Sequence, residues 1–143
     1  MIISGSCRCG NISLALTLLP APAELPARTC SCSFCTTHDG VWTSYPSGSL
    51  KVMLRDPGKV ANHTFATETA QFHICSDCGD VPVVTSRIDG RLHAVVNVNA
   101  FQETTPLVFR HASANFDGES EAARIARRRQ NWIADVEFAD GSE

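Results

Sequence analysis

Short runs with strand character, alternating or rich in β-branched and aromatic residues and parted by turn residues, recur along the first 111 residues. Asn11–Leu19 (NISLALTLL) alternates cleanly, and Val41–Tyr45 (VWTSY) and Leu50–Leu54 (LKVML) are short runs rich in β-branched and aromatic residues. Pro46-Ser47-Gly48-Ser49 is a turn between them. Arg55-Asp56-Pro57-Gly58 breaks the pattern, which resumes in Lys59–Ala66 and Ala70–Ile74. Val81–Ile88 and Leu92–Val98 read as a hairpin around Asp89-Gly90, a favoured tight-turn pair. Gln102–Pro106 is then a loop and Leu107–His111 a short last strand. Leu19–Arg28 (LPAPAELPAR) carries three prolines and is expected to be a surface connection, not a helix interior or a central strand.

Beyond His111 the period lengthens. Asn115–Val136 is the one good helix candidate, with Asp117 or Ser120 as its cap. Glu119 and Glu121 fall near its start and the arginines later, which suits the helix dipole. Ile125, Trp132, Ile133 and Val136 share one face. Arg124, Arg127, Arg128 and Arg129 form the basic cluster, read as a solvated helix face in preference to a site for substrate carboxylates or an acidic partner. The expected fold is mainly β with a C-terminal helix: a β domain over residues 1–114 and a helical extension over 115–143, packed on that domain or on a partner.

Composition narrows the function classes. At 143 residues, 43% hydrophobic and 19% charged, the chain is long enough for one domain with a real core. A formal net charge of −3 gives no general attraction to nucleic acid or to an anionic membrane. No apolar run approaches the roughly 18–20 residues of a membrane-spanning helix. Ile12–Ala23 has some of the character of a signal peptide, but it lacks a basic leader and is interrupted by Ser13 and Thr17, so it reads as a strand.

The seven cysteines fall into three tight clusters: Cys7 and Cys9 in SCRCG, Cys30, Cys32 and Cys35 in TCSCSFCTTHDG, and Cys75 and Cys78 in ICSDCGD. An odd number at such short spacings does not read as a disulfide framework. It reads as metal ligands in a reducing compartment, so a cytoplasmic location is expected. Zinc takes about four ligands in a tetrahedron, and two Cys pairs from distant segments make the usual closed site. Glycine follows both flanking pairs, Gly10 after Cys9 and Gly79 after Cys78, and can turn backbone N–H groups toward the sulfurs. Cys7, Cys9, Cys75 and Cys78 are therefore expected to hold one structural zinc. Cys30, Cys32 and Cys35 lack the trailing glycine and offer three ligands, which leaves a second zinc one open position. His38, or Asp39, would instead close that site. An iron–sulfur cluster fits less well, because cluster-type spacing is absent.

The three clusters and their order resemble the glutathione-dependent formaldehyde-activating enzyme family, also called the centromere protein V-like family. The likeness runs from about Gly5 to His111 and includes VNVNAFQETTPLVFRH. It implies an Mss4-like β-tent of small antiparallel sheets stapled by two zinc ions per chain. One ion would sit on Cys7, Cys9, Cys75 and Cys78, the other on Cys30, Cys32 and Cys35. It implies carbon–sulfur chemistry on a small-molecule thiol, the condensation of formaldehyde with glutathione to S-hydroxymethylglutathione or the reverse lysis. GDVPVVTSR after Cys78 departs from the glycine–proline–aromatic run of many members. The competing expectation is a non-catalytic binding module in which both zinc sites are structural. His38 stands as a fourth ligand or proton shuttle, and no other acid or base is named. Phe34 and Trp42 flank the middle cluster and would wall a pocket or, the favoured reading, serve core packing. His73 beside Cys75 is expected to support the first zinc site from behind its ligands or to pack in its strand, not to act in catalysis. His63, His93 and His111 are given no role.

Overall fold

The computed structural model describes residues 2–18, 24–30, 41–45, 47–63, 71–101, 108–114 and 120–140. Its elements are β1 (Ile2–Ser6), β2 (Ile12–Thr17), β3 (Glu24–Cys30), β4 (Val41–Thr43), β5 (Ser49–Leu54), β6 (Val60–His63), β7 (Gln71–Cys75), β8 (Val83–Ile88), β9 (Arg91–Asn97), β10 (Val108–Ala114), α1 (Glu121–Asn131) and β11 (Asp135–Asp140). The fold is mainly β. The strands make a four-stranded sheet in the order β1-β2-β5-β11 and a seven-stranded sheet in the order β10-β3-β4-β9-β8-β7-β6. Most neighbours are antiparallel. Each sheet gains one parallel strand at an edge, β11 on β5 and β10 on β3.

The alternation seen in the sequence becomes the inner layer between the sheets. Ile12, Leu14 and Leu16 of β2 are buried while Ser13, Ala15 and Thr17 between them are half-exposed. Leu50 and Val52 of β5 join them, and Val83, Ala94 and Val96 meet them from the larger sheet. Cys7 and Cys75 belong to this same cluster. The other face of the larger sheet carries a second cluster, Trp42, Phe72, Val81, Val84, Val95 and Trp132.

The turns follow the chemistry of their residues. Asp89 and Gly90 both take positive φ, 53° and 79°, as a tight hairpin turn demands. Asp56 caps a short 3-10 turn, Pro57–Lys59, by accepting a hydrogen bond from the Gly58 N–H at 3.0 Å. Gly5 is required by a close approach: a Cβ there would lie 2.6 Å from the carbonyl oxygen of Ala100. Gly5 and Phe101 form an isolated bridge, which binds the edge of the small sheet to the chain leaving β9.

Two expectations are corrected. Leu19–Arg28 is not wholly a surface connection, since Glu24–Cys30 is a strand with Leu25 and Ala27 buried. Pro26 is tolerated because β4 pairs with β3 at Arg28 and Thr29, so Pro26 lies beyond that ladder and is flanked by β10 alone. The helix is also shorter than Asn115–Val136. It runs Glu121–Asn131, capped by Ser120, whose Oγ accepts from Ala123 N–H at 3.1 Å. Ser44 Oγ donates to the Asn131 carbonyl at 2.7 Å, and Trp132 leaves the helix in extended geometry. Ile133 then exchanges two backbone hydrogen bonds with Ala94, both 2.9 Å. Val136 lies in β11, which pairs with β5. The sequence DVEFAD serves a strand as well as a helix, and the free flank of β5 decides between them.

Candidate metal centre

Cys7 and Cys75 each begin a tight turn at the end of a strand. After β1, Cys7 N–H donates to the Ile12 carbonyl at 2.9 Å and Gly10 N–H to the Cys7 carbonyl at 3.0 Å. After β7, Cys75 N–H donates to the Asp80 carbonyl at 2.9 Å and Gly79 N–H to the Cys75 carbonyl at 2.7 Å. The two turns share one plan, including positive φ at Gly10 (81°) and Gly79 (77°). Each is a hydrogen-bonded knuckle that carries two of the four sulfurs.

The two knuckles face each other. The Sγ atoms of Cys7, Cys9, Cys75 and Cys78 all lie within 4.8 Å of one another. Cys9 and Cys75 are 3.3 Å apart and Cys7 and Cys9 are 3.6 Å apart. A disulfide needs about 2.05 Å, so these are free thiols. Four sulfurs around one zinc at 2.3 Å stand roughly 3.8 Å apart, which matches this spread. An all-sulfur donor set is the soft kind that zinc takes in closed sites. Ile12 N–H also points to Cys7 Sγ at 3.3 Å, a donor that helps hold negative sulfur.

Charge in the cluster is unevenly supported. Burial raises the Cys7 thiol and pushes Cys75 up to about 12. For Cys78 burial works in the same direction, but backbone hydrogen bonds from Asp80 and Cys9, together with the Cys75 and Cys9 sulfurs, bring it down to about 7. Buried thiols that resist ionisation alone give up their protons to a bound cation.

Several groups around the sulfurs were not legible as site residues. Arg8 N–H donates to Asp80 Oδ2 at 2.9 Å, its Nε reaches Asp80 Oδ1 at 3.1 Å, and its guanidinium also binds the Cys78 carbonyl. Asn11, buried beside the first knuckle, exchanges hydrogen bonds with the Asp56 backbone. The available signal was position alone: Arg8 lies between two cysteines, while Asn11 and Asp80 each follow a knuckle glycine.

The middle cluster is reached only at its edge. The Cys30 backbone ends β3, opposite Ala114 of β10. Cys32, Cys35, His38, Asp39 and Phe34, and the Cys30 side chain, lie outside the described residues. Topology still locates the anchor. Thr29 pairs with Val41, so Cys30 and Val41 lie at one end of the larger sheet. Following the register through Trp42–Asn97, Val83–Val96 and His73–Val83, that end is also where Cys75 lies. β3 and β7 are four strand spacings apart in the sheet, roughly 19 Å at about 4.8 Å each.

The remaining candidates are packing residues. Trp42 meets Phe72 edge-on at 6.0 Å. His73 is buried, its Nε2 2.8 Å from Thr85 Oγ1 and its ring 5.2 Å from that of Phe138 in β11. Burial lowers its pKa to about 4. His93 Nδ1 lies 3.1 Å from the Arg91 carbonyl. Arg128 of the basic cluster is buried, not solvated, with Nη1 3.3 Å from Ser86 Oγ and its guanidinium 5.0 Å from the Trp132 ring. Arg129 pairs with Asp89 at 2.9 Å. None of the described helices is long and apolar enough to cross a membrane.

The fold and this cluster define a small β protein with two sheets and four thiols gathered between sequence-distant knuckles, in an arrangement that could hold a metal ion. Residues 2–114 match the model of the family described as glutathione-dependent formaldehyde-activating enzyme, and the chain belongs to that family. Among solved structures it is similar to a Rhodobacter sphaeroides protein, at 26% identity and a TM-score of 0.56, over 76% of this chain and 100% of that one. No curated protein matches the chain.

Proposed function

We propose that this protein is a zinc-dependent carbon–sulfur lyase or synthase acting on a thiol–aldehyde adduct of the S-(hydroxymethyl)glutathione type. The observation that carries the reading is the four-sulfur cluster within a chain of the glutathione-dependent formaldehyde-activating family. Cys7, Cys9, Cys75 and Cys78 hold a structural zinc. Cys30, Cys32 and Cys35 hold a second zinc with a position open to substrate. What supports two sites is distance: the Cys30 end of β3 lies too many strands from Cys75 to share one ion. A zinc ion at the second site would supply a Lewis-acidic seat for the thiolate sulfur of the substrate. In synthesis the thiolate sulfur bonds to the aldehyde carbon, the carbonyl π pair moves to oxygen, and that oxygen takes a proton. Lysis runs the same bonds backwards. His38 is the candidate for moving that proton. The protein works in the cytoplasm, on glutathione or a similar thiol.

Residues 1–114 form the catalytic unit, and 115–143 are an extension packed on the same domain. What supports this is the family match, which stops at Ala114, and the docking of α1 and β11 on the two sheets.

The test is zinc stoichiometry and zinc K-edge absorption, with and without glutathione, beside ¹³C NMR of formaldehyde and glutathione turnover. Two zincs averaging about 3.5 sulfurs, rising toward four with thiol, and adduct formed faster than the uncatalysed rate are expected. A sulfur shell that ignores every thiol, with no rate enhancement, would replace the lyase by a zinc-stabilised binding module.

A further inference from the structure

The two knuckles arise 66 residues apart, counted from Cys9 to Cys75, and on different sheets. A tetrahedral site tolerates errors of only about 0.2 Å in its ligand distances. Something other than the metal must set one knuckle against the other if the site is to be ready before the ion arrives.

The connection from β5 to β6 does this. Leu54, at its start, is the register partner of Ile12, just past the first knuckle. Val60, at its end, is the register partner of Cys75, the first residue of the second. Residues 55–59 therefore run directly from one knuckle to the other. Five residues span at most ~18 Å, so the tether is short in covalent terms alone.

Hydrogen bonds shorten and stiffen it further. At the first knuckle Arg55 N–H donates to the Asn11 carbonyl at 2.9 Å. The Asn11 side chain takes the Asp56 N–H at 2.8 Å and gives an N–H to the Asp56 carbonyl at 3.1 Å. The tether is folded into a 3-10 turn, with Lys59 N–H to the Asp56 carbonyl at 3.0 Å. At the second knuckle Ser76 N–H donates to the Lys59 carbonyl at 2.8 Å, and Lys59 Nζ pairs with Asp77 at 3.3 Å. The connection is thus held to the first knuckle at Arg55 and Asp56 and to the second at Lys59.

We propose that residues 55–59 are a splint that presets the four-sulfur site, with Asn11 as its positioning residue and the Arg8–Asp80 contact as a second, direct clip between the knuckles. The proposal rests on the reading of the cluster as a zinc site. Exposure ranks the two devices. Asn11 is 4% exposed, so its two hydrogen bonds to the exposed Asp56 backbone are shielded from water on the Asn11 side. The Arg8 side chain is 74% exposed, so the ion-pair part of the clip is screened by water. Its backbone N–H to the Asp80 carboxylate is the stronger half. The Lys59–Asp77 pair is exposed on both sides and adds little.

The experiment is competition for Zn²⁺ against a chromophoric chelator, in a full-length Cys30→Ser/Cys32→Ser/Cys35→Ser background that leaves only Cys7, Cys9, Cys75 and Cys78. Circular dichroism of the zinc-free forms is read in parallel. Asn11→Ala is expected to weaken zinc retention by about 10–100-fold, the range for residues that orient ligands. Asp80→Asn is expected to weaken it less, and Lys59→Gln within twofold. Asn11→Asp keeps an acceptor for Asp56 N–H and is expected to recover part of the loss. If Asn11→Ala fails to fold, Asn11→Asp, which keeps the acceptor for Asp56 N–H and loses the donor to its carbonyl, carries the test of the splint, and Asp80→Asn that of the clip. Folded Asn11→Ala and Asp80→Asn proteins that retain zinc within twofold of the parent would overturn the splint and leave the zinc site standing. A parent that takes no zinc would overturn the zinc reading itself.

Discussion

The larger sheet has two faces, and they are built differently. The inner face joins the small sheet in a layer that is mostly apolar: Leu14, Leu16, Leu50, Val52, Val83 and Val96, with Cys7 and Cys75 at one end and the buried His73–Thr85 pair as its polar exception. The outer face mixes Trp42, Phe72 and Trp132 with buried Ser86, His93, Asn97 and Arg128. The inner layer gains chiefly from apolar burial and loses when a methyl group is removed. The outer face depends on partners for its polar groups, such as Arg128 with Ser86 and Asn97 with the Val81 carbonyl. The lesson is a division of labour. The inner layer fixes the knuckles, and the outer face receives the α1 segment.

Removing the zinc proposed for the four-thiol centre should strain that division most. Stripping zinc from the four-thiol centre is expected to cost on the order of 10 kcal/mol, in the range of structural zinc sites. Both tryptophans, Trp42 and Trp132, report from the outer face, while amide exchange in β2, β5 and β7 reports from the inner layer. Exchange protection should fall in those strands before tryptophan emission shifts. Simultaneous loss would show one cooperative unit and end the comparison.

Leu16→Ala should come next, at about 2–5 kcal/mol by denaturant unfolding, because Leu16 is fully buried between the sheets. An outer-face change, Ser86→Ala, should cost nearer 1 kcal/mol, the worth of a typical hydrogen bond. Equal costs would erase the distinction.

His73 gives the inner layer a pH signature. Below its ordinary value near 6.5 the unfolded chain takes a proton that the buried ring refuses until about 4. Stability should therefore fall as pH drops through that window and level off below it. The contribution is about 2 kcal/mol near pH 5, read as the difference between the parent and His73→Gln. A parallel pair of curves would mean that the ring is not kept neutral.

The smallest effect is expected at Ser120→Ala, about 1 kcal/mol for loss of the α1 cap, with the inner layer untouched in exchange.

Much of the fold was legible because strand signals here are local. β2, β5 and the β8–β9 hairpin follow from alternation and from Asp89-Gly90, features carried within a few residues. β3 was not, because Pro26 argues against a strand until one knows that β4 stops short of it. β11 was not, because Asp135–Asp140 has helical and extended readings that only the flank of β5 separates. At the site, the meeting of Cys7 and Cys9 with Cys75 and Cys78 follows from matching cysteine–glycine turns. Asn11, Arg8 and Asp80 do not, since their roles are contacts across 45, 72 and 70 residues. Such long-range pairs leave no periodic trace. For Arg128, a cluster of arginines reads as solvent-facing although one member packs inward on Trp132.

The parallel pairing of β11 with β5 has a consequence for synthesis on the ribosome. β1, β2 and β5 emerge early and can zip together, but the far edge of β5 then waits for Asp135–Asp140, some eighty residues later. Until those residues appear, the nascent chain presents an unpaired strand bearing Lys51 and Met53 on its outer face. An open edge of this kind invites the wrong partner. Lys51, a charge in the middle of that strand, is the local guard during the wait.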